Sequence, residues 1–246
     1  MKDKLLKLGI SDTEINELLK VSKDIENDYN KLLNKYPIQY LIGYVNFYGY
    51  KINVNENVLI PRYETELLVE KTINYSKKLF NKKIKILDLG TGSGSIAIAL
   101  KKQIDSDVMA IDISDKALEL AQKNAIENKI NINFVKNNML DGLSEKFDLI
   151  ISNPPYISYD EEIMECVKLY EPHLALYADN NGLYYYEEIL KNIKNNLNSK
   201  YLIAFEIGYK QAESIKKIIN KYLKNVEITI EKDYSGKDRY VFIKNE

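Results

Sequence analysis

The tetrapeptide Asn153-Pro154-Pro155-Tyr156 gathers groups suited to holding a planar –NH2. Two consecutive prolines fix φ and remove two backbone donors, so the neighbouring carbonyls have no local N–H competing for them. A planar amide or amino group can give one hydrogen bond to the Asn153 side-chain oxygen and a second to the Pro154 carbonyl. Pro155 stiffens the turn, and Tyr156 offers a ring face to the plane of the substrate. No catalytic carboxylate or histidine is required, because an amide nitrogen that has just accepted a methyl group loses its proton readily. What must be supplied is in-line approach of the nitrogen to an activated methyl, and well-oriented reactants gain about 7–11 kcal/mol in this way. Accepting hydrogen bonds from the –NH2 also favours the positive charge that grows on nitrogen. Read alone, the tetrad could instead be a Pro-Pro loop capped by an Asn, and its chemistry suits a side-chain amide and an amino group on a base equally.

A second constellation lies upstream. Asp88-Leu89-Gly90-Thr91-Gly92-Ser93-Gly94 places the end of a strand, a tight glycine turn and the start of a helix in order. Gly90, Gly92 and Gly94 let the backbone take positive φ and let a ligand approach the main chain, with Thr91 and Ser93 between them. A dinucleotide fingerprint wants its third glycine one residue later, where Ser95 stands, and the acid Asp88 ahead of the turn fits the binders of a nucleoside sulfonium. The following helix N-terminus can receive a carboxylate. About twenty residues on, Asp112 ends the next strand, where a carboxylate can accept two ribose hydroxyls. Read alone, Asp112 is a helix cap in competition with Ser114. The expected ligand is S-adenosylmethionine, with no metal, although the glycine turn read alone could instead bind NAD or nothing at all.

These residues need strand ends to carry them. From Lys83 onward, apolar runs alternate with amphipathic stretches, the signature of a parallel sheet covered on both faces. The expected strands are Ile84 to Leu89, Val108 to Ile113, Ile132 to Val135, Phe147 to Ser152 and Tyr201 to Ile207. Helices are expected near Ser95 to Gln103, Asp115 to Asn128, Gly182 to Asn198 and Gln211 to Leu223. Val226 to Glu231 and Arg239 to Lys244 are joined by so short a turn, with Gly236 in it, that they must pair antiparallel. Ahead of this region, a helix follows Pro61-Arg62 and runs to about Leu79. The segment from Val45 to Ile60 alternates as in a hairpin around Gly49 and Asn53-Val54-Asn55. The first forty or so residues read as helical, with a capping box at Ser11 and Glu14 and an apolar stripe of Ile15, Leu18, Leu19 and Ile25. The division expected is a helical lobe over 1–43, a hairpin linker over 44–60 and an α/β domain over 61–246.

With 35 basic and 36 acidic residues in 246, the formal charge is −1. A dedicated nucleic-acid binder would carry a basic excess. The single cysteine, Cys166, excludes an internal disulfide framework, and the N-terminus lacks the apolar run of a signal peptide or membrane span. A soluble, cytoplasmic and monomeric protein is expected. His173, the only histidine, reads as a surface or loop residue, Cys166 as a packed thiol, Lys191, Lys194 and Lys200 as a solvated face, and Tyr184-Tyr185-Tyr186 as core and surface packing.

Sequence outside the tetrad resembles one family in particular. Gln39-Tyr40-Leu41-Ile42-Gly43 through Phe47-Tyr48, then Leu59-Ile60-Pro61-Arg62-Tyr63-Glu64-Thr65-Glu66, is similar to the segment that precedes the catalytic domain of the release factor glutamine N5-methyltransferases, the HemK/PrmC family. Tyr170 to Leu176 with Gly182-Leu183, Phe205 to Gly208, and Lys232 to Arg239 also resemble that family, so the likeness runs from about Pro37 to the end. It implies a class I methyltransferase fold: a seven-stranded, mostly parallel, Rossmann-like sheet ending in an antiparallel hairpin. It also implies methyl transfer from S-adenosylmethionine to the glutamine amide of the Gly-Gly-Gln loop of peptide chain release factors. On that resemblance Gly90 to Gly94, Asp112, Met139 and Asn153 hold the cofactor. Asn153, Pro154, Pro155 and Tyr156 hold the glutamine, with Asn153, Pro154 and Tyr156 catalytic, and the helical lobe meets the release factor. The alternatives are an N6-adenine type nucleic-acid methyltransferase using the same tetrad and a non-catalytic binding protein of this fold. The chain departs from the family at Tyr63, where proline is usual, at Asn138, where an acid is usual, and in its shorter helical lobe.

Overall fold

Seven of the apolar runs assemble into one sheet of order β5-β4-β3-β6-β7-β9-β8, described here from a computed structural model covering residues 1–245. Glu246, the last residue of the expected α/β domain, lies outside the described residues. The strands are β3 (Ile84–Leu89), β4 (Ser106–Asp112), β5 (Asn133–Lys136), β6 (Phe147–Ser152), β7 (Leu197–Glu206), β8 (Glu227–Lys232) and β9 (Asp238–Asn245). Strands β3 to β7 run parallel, while β9 pairs antiparallel with both β7 and β8. The chain winds outward from β3 through β4 to β5, then returns to lay β6 on the other side of β3. The carboxyl ends of β3 and β6 therefore flank the switch point, where open α/β sheets bind ligands.

Helices cover both faces. Helices α5 (Tyr63–Leu79) and α6 (Ser95–Gln103) bury Leu68, Val69, Ile73, Ala97 and Leu100 against Ile84, Ile86, Leu149 and Phe242. On the opposite face, α10 (Tyr184–Asn192) and α11 (Ala212–Tyr222) bury Tyr186, Ile189, Ile215 and Ile219 against Leu87, Leu89, Ile150 and Phe205. All six residues of β6 are buried, as its unbroken apolar run requires of a central parallel strand. Helix α7 (Asp115–Glu127) completes the crossover from β4 to β5.

The N-terminal region is four short helices, α1 (Lys2–Leu6), α2 (Asp12–Val21), α3 (Ile25–Leu33) and α4 (Ile38–Ile42). Ser11 and Glu14 form the capping box of α2. Leu5, Ile15, Leu18, Ile38 and Ile42 share a small core, whereas Leu19 points to solvent, 43 % exposed, and departs from the expected stripe. The hairpin is shorter than its alternating pattern suggested: β1 (Tyr44–Phe47) and β2 (Tyr50–Asn53) turn at Tyr48 and Gly49, both left-handed. Beyond Asn53 the alternation continues without a partner strand, because Val54, Val58 and Ile60 pack instead on Tyr40 of α4 and Ala117 of α7.

The expected single helix from Gly182 to Asn198 is corrected. Helix α10 ends at Asn192, a 3-10 turn follows over Ile193–Asn196, and β7 begins at Leu197. Buried Asn196 gives its side-chain NH2 to the carbonyls of Leu143 and Glu145, each at 2.9 Å, which pins the chain out of helical register. A further helix, α8 (Glu165–Tyr170), follows a loop rich in acidic residues, and the turn α9 (Asp179–Gly182) carries three successive left-handed residues at Asn180, Asn181 and Gly182. Among the described residues no helix is long and apolar enough to cross a membrane.

Candidate active site

The glycine turn leaves β3 over the edge of β4. Gly90 and Thr91 both donate their N–H to the Ile111 carbonyl at 2.9 Å, and Gly92 donates to Asp112 Oδ2 at 2.8 Å. Asp112 Oδ1 accepts from Ser114 N at 2.9 Å, while the Ser114 hydroxyl caps α7 by accepting from Ala117 N. The competition between Asp112 and Ser114 is thus resolved by both serving, and each Asp112 oxygen keeps a lone pair for a hydroxyl ligand. Gly90 and Gly92 have positive φ, and a Cβ at either would meet nothing within 4 Å, so the turn presents bare backbone to open space. Gly94, at the N-cap of α6, sits 3.1 Å from the Ala121 side chain when given a Cβ, so there close helix packing demands the glycine.

Asp88, inside β3, is fully buried. Its Oδ2 accepts from Thr91 Oγ1 at 2.7 Å, and its Oδ1 has no partner among the described residues. Burial, with a smaller push from the Asp112 charge, raises its pKa to about 7 against the lowering hydrogen bond from Thr91. An unpaired buried carboxyl oxygen beside a bare glycine turn, with the Asp112 acid one strand away, is a donor and acceptor set that fits an amino-acid-bearing nucleoside.

An open cavity runs from this turn toward β6. Gly90, Gly92, Asp112, Asn138, Met139 and Asn153 all line it. Met139 holds a left-handed backbone at φ 48°, and Asn138 ties its side-chain NH2 to Asp141 at 3.0 Å. Thr91, Ser93 and Gly94 stand behind the turn rather than on the cavity wall. The tyrosine run expected to be packing alone also contributes, since Tyr185 borders the cavity while Tyr186 is fully buried. Pro172, Leu174 and Ala175, beyond α8, form the opposite wall.

Asn153, Leu59 and Ala175 are shared with a second cavity, on whose side lie Pro154, Tyr156, Arg62, Glu162, Met164 and Glu206. The two prolines divide, Pro155 facing the first cavity and Pro154 the second. Asn153 gives its NH2 to Thr65 Oγ1 at 3.1 Å, and Thr65 Oγ1 donates to Glu206 Oε2 at 2.7 Å. Tyr156 OH reaches Glu206 Oε1 at 3.4 Å. Burial pushes the Glu206 carboxyl up to about 7, with Thr65, Arg239 and Tyr156 pulling it down and Glu64 pushing it further up. Burial, followed by the Glu206 charge, holds the Tyr156 phenol above its ordinary value, so the ring is neutral.

Residues that sequence reasoning did not assign hold this arrangement in place. Gln211 Nε2 donates to the Tyr156 carbonyl at 2.9 Å and Gln211 Oε1 accepts from Gly208 N at 2.8 Å. Glu171 pairs with Arg62 and accepts from Ile60 N at 3.1 Å, fastening the wall beyond α8 to the approach to α5. Fully buried Asn124 bridges the hairpin and the glycine turn, donating to Asn53 O at 3.0 Å and Ser93 O at 2.9 Å and accepting from Asn53 N at 2.8 Å. Thr65 and Glu206 fall in the segments that carried the family resemblance, which was the only signal for them. Tyr63 is exposed and stacks on Tyr234 with centroids 6.0 Å apart. His173 is exposed and bonds the Lys168 carbonyl at 2.8 Å, and Cys166 is a free, half-buried thiol.

A bare glycine turn and an Asn-Pro-Pro-Tyr turn on one cavity wall invite comparison with known proteins. Residues 64–168 match the family model described as Methyltransferase small domain. A release factor glutamine methyltransferase of Lactococcus lactis is 41% identical over 98% of this chain and 86% of its own length. The chain belongs to the release factor glutamine methyltransferase family. Another member, from Flavobacterium psychrophilum, is 45% identical over 86% of this chain and 76% of its own. Among solved structures, a methyltransferase from Pyrococcus furiosus superposes with a TM-score of 0.60 at 20% identity, over 80% of this chain and 88% of that one. The ribosomal protein L11 methylase of Lactobacillus delbrueckii gives 0.55 at 23% identity, over 74% and 78%. These two share the fold, so the expected mostly parallel sheet with its antiparallel C-terminal hairpin stands.

Proposed function

We propose that the protein transfers a methyl group from S-adenosylmethionine to the side-chain amide nitrogen of the glutamine in the Gly-Gly-Gln motif of peptide chain release factors. The observation that carries the reading is the position of Asn153, on the wall common to two cavities, with the glycine turn and Pro155 lining one and Pro154 and Tyr156 lining the other. Family membership and relatives named for this activity support the substrate class.

In this reading the cofactor, when bound, supplies an electrophilic methyl on a sulfonium and departs as a neutral thioether. Gly90 and Gly92 give it close backbone approach, Asp112 accepts its ribose hydroxyls, Asp88 stands behind the turn for its amino-acid end, and Met139 lies along its base. The glutamine amide enters from the second cavity. Asn153 Oδ1 and the Pro154 carbonyl, neither of which accepts a hydrogen bond from another described residue, each take one N–H. The neutral Tyr156 ring flanks the amide plane. As nitrogen takes the methyl and becomes positive, both acceptors bind it more strongly than they bound the ground state, and a nitrogen-bound proton then departs. The division into a partner-facing helical lobe over 1–43, a linker over 44–60 and a catalytic domain over 61–246 belongs to the same proposal.

The test is incubation with isotopically labelled S-adenosylmethionine and either a release factor or mixed nucleic acid. Wild-type protein is expected to label the factor, and Asn153→Ala to lose transfer by at least 10³-fold while retaining most of its cofactor affinity. Label on nucleic acid alone, or wild-type turnover by Asn153→Ala, contradicts the reading.

A further inference from the structure

An asparagine amide has two chemically opposite ends, and only one suits a substrate that donates. With Oδ1 toward the second cavity, Asn153 accepts an N–H; rotated by half a turn it would present its own NH2 and repel the same group. The hydrogen bonds of Thr65 decide between the two. Thr65 Oγ1 carries a single proton and donates it at 2.7 Å to Glu206 Oε2, which accepts as long as that oxygen holds no proton of its own. With that proton committed, the hydroxyl has only lone pairs left for Asn153, and at 3.1 Å it receives the NH2 end. Thr65 is 4 % and Glu206 2 % exposed, so the bond between them is largely shielded from bulk water. The relay is itself held, since Tyr186 OH donates to the Glu206 backbone carbonyl at 2.6 Å. It joins the first turn of α5, the last residue of β7 and the turn beyond β6, three elements that meet only in the folded chain.

Resting on the reading in which Asn153 Oδ1 accepts from the substrate, we propose that Thr65 and Glu206 are positioning residues, a buried relay that locks the Asn153 amide with its oxygen toward the reacting nitrogen. Thr65 acts wholly through Asn153. The relay selects for an N–H donor by preventing the flipped amide.

Thr65→Val keeps the branched shape and removes the hydroxyl, whereas Thr65→Ser keeps the hydroxyl and removes a methyl. Steady-state methylation of a release factor is expected to show kcat lowered at least tenfold in Thr65→Val, about 1.4 kcal/mol, with the KM for S-adenosylmethionine within twofold of wild type. Thr65→Ser is expected to return kcat to within threefold. A packing role alone would move stability and cofactor KM together and would not be rescued by serine. Wild-type kcat in folded Thr65→Val, or no recovery in Thr65→Ser, overturns the relay. Should Thr65→Val fail to fold, Glu206→Gln serves, because its amide can donate to Thr65 and free the hydroxyl proton for Asn153 Oδ1; kcat lowered at least threefold supports the relay and wild-type kcat overturns it. Asn153→Ala run in parallel separates the failures. If it turns over like wild type, the underlying reading of Asn153 is wrong; if it is inactive while Thr65→Val is not, only the relay is.

Discussion

Replacing Gly182 with alanine is expected to disable transfer by displacing the Asn153–Tyr156 turn without altering any group in it. Gly182 closes the left-handed run at the end of α9 with φ 78°. A Cβ placed there would stand 2.0 Å from the Tyr156 carbonyl oxygen and 2.5 Å from Gln211 Nε2, where separations under 3.0 Å are essentially never tolerated. The Gln211 end can swing away, but the Tyr156 carbonyl is backbone and has to retreat by about 1 Å, taking with it the 2.9 Å bond from Gln211. A misplacement of about 1 Å at a positioned group costs on the order of 10²-fold in rate. The left-handed φ adds about 1–2 kcal/mol of strain to any residue with a side chain. Gly236→Ala isolates that second effect, since Gly236 has φ 76° and nothing within 4 Å of its would-be Cβ. With saturating S-adenosylmethionine, Gly182→Ala is expected to lose about 100-fold in kcat with cofactor affinity changed no more than a few-fold. Gly236→Ala is expected to keep wild-type kcat and lose a few degrees in Tm. A folded Gly182→Ala enzyme with wild-type kcat would refute the placement of α9 against the catalytic turn.

Two further predictions concern stability. Because burial raises the Glu206 carboxyl from 4.5 to about 7, folding favours its protonated form; the associated stability is fully present below pH 4.5 and is lost as pH rises toward 7. That is on the order of 3 kcal/mol, so Glu206→Gln is expected to flatten the fall in denaturation free energy across this window, and an unchanged pH profile would contradict the assignment. Asn124→Ala leaves Asn53 and the Ser93 carbonyl without their partners, at a cost of about 2–4 kcal/mol. It is also expected to weaken S-adenosylmethionine binding by freeing the glycine turn, and a loss under about 1 kcal/mol in chemical denaturation would count against the bridge.

Much of this arrangement was legible in the residues themselves. Buried parallel strands are short apolar runs, so Phe147–Ser152 and Ile84–Leu89 declared themselves, and the turns that follow at Asn153 and Gly90 were placed by their strands. The helix from Tyr63 to Leu79 and the antiparallel C-terminal hairpin followed from local periodicity and a short connection. What periodicity could not convey is polar pairing over long separations. Thr65 and Glu206 lie 141 residues apart, and Asn124 meets Asn53 from 71 residues away; nothing local distinguishes these side chains from solvated ones. The same physics misled the reading of Gly182 to Asn198, where tertiary bonds from Asn196 end a pattern that was locally helical. Tyr185 was missed because helical spacing sends adjacent tyrosines in different directions without revealing which direction is the cavity.

The identity of the atom that receives the methyl group decides the proposed activity. A release factor methylated by the purified protein, digested and fragmented in a mass spectrometer, is expected to carry the added methyl on the side-chain amide of the glutamine in its Gly-Gly-Gln motif and nowhere else. Methyl on another residue of the factor, or a factor left unmodified while nucleic acid is methylated, would contradict the account.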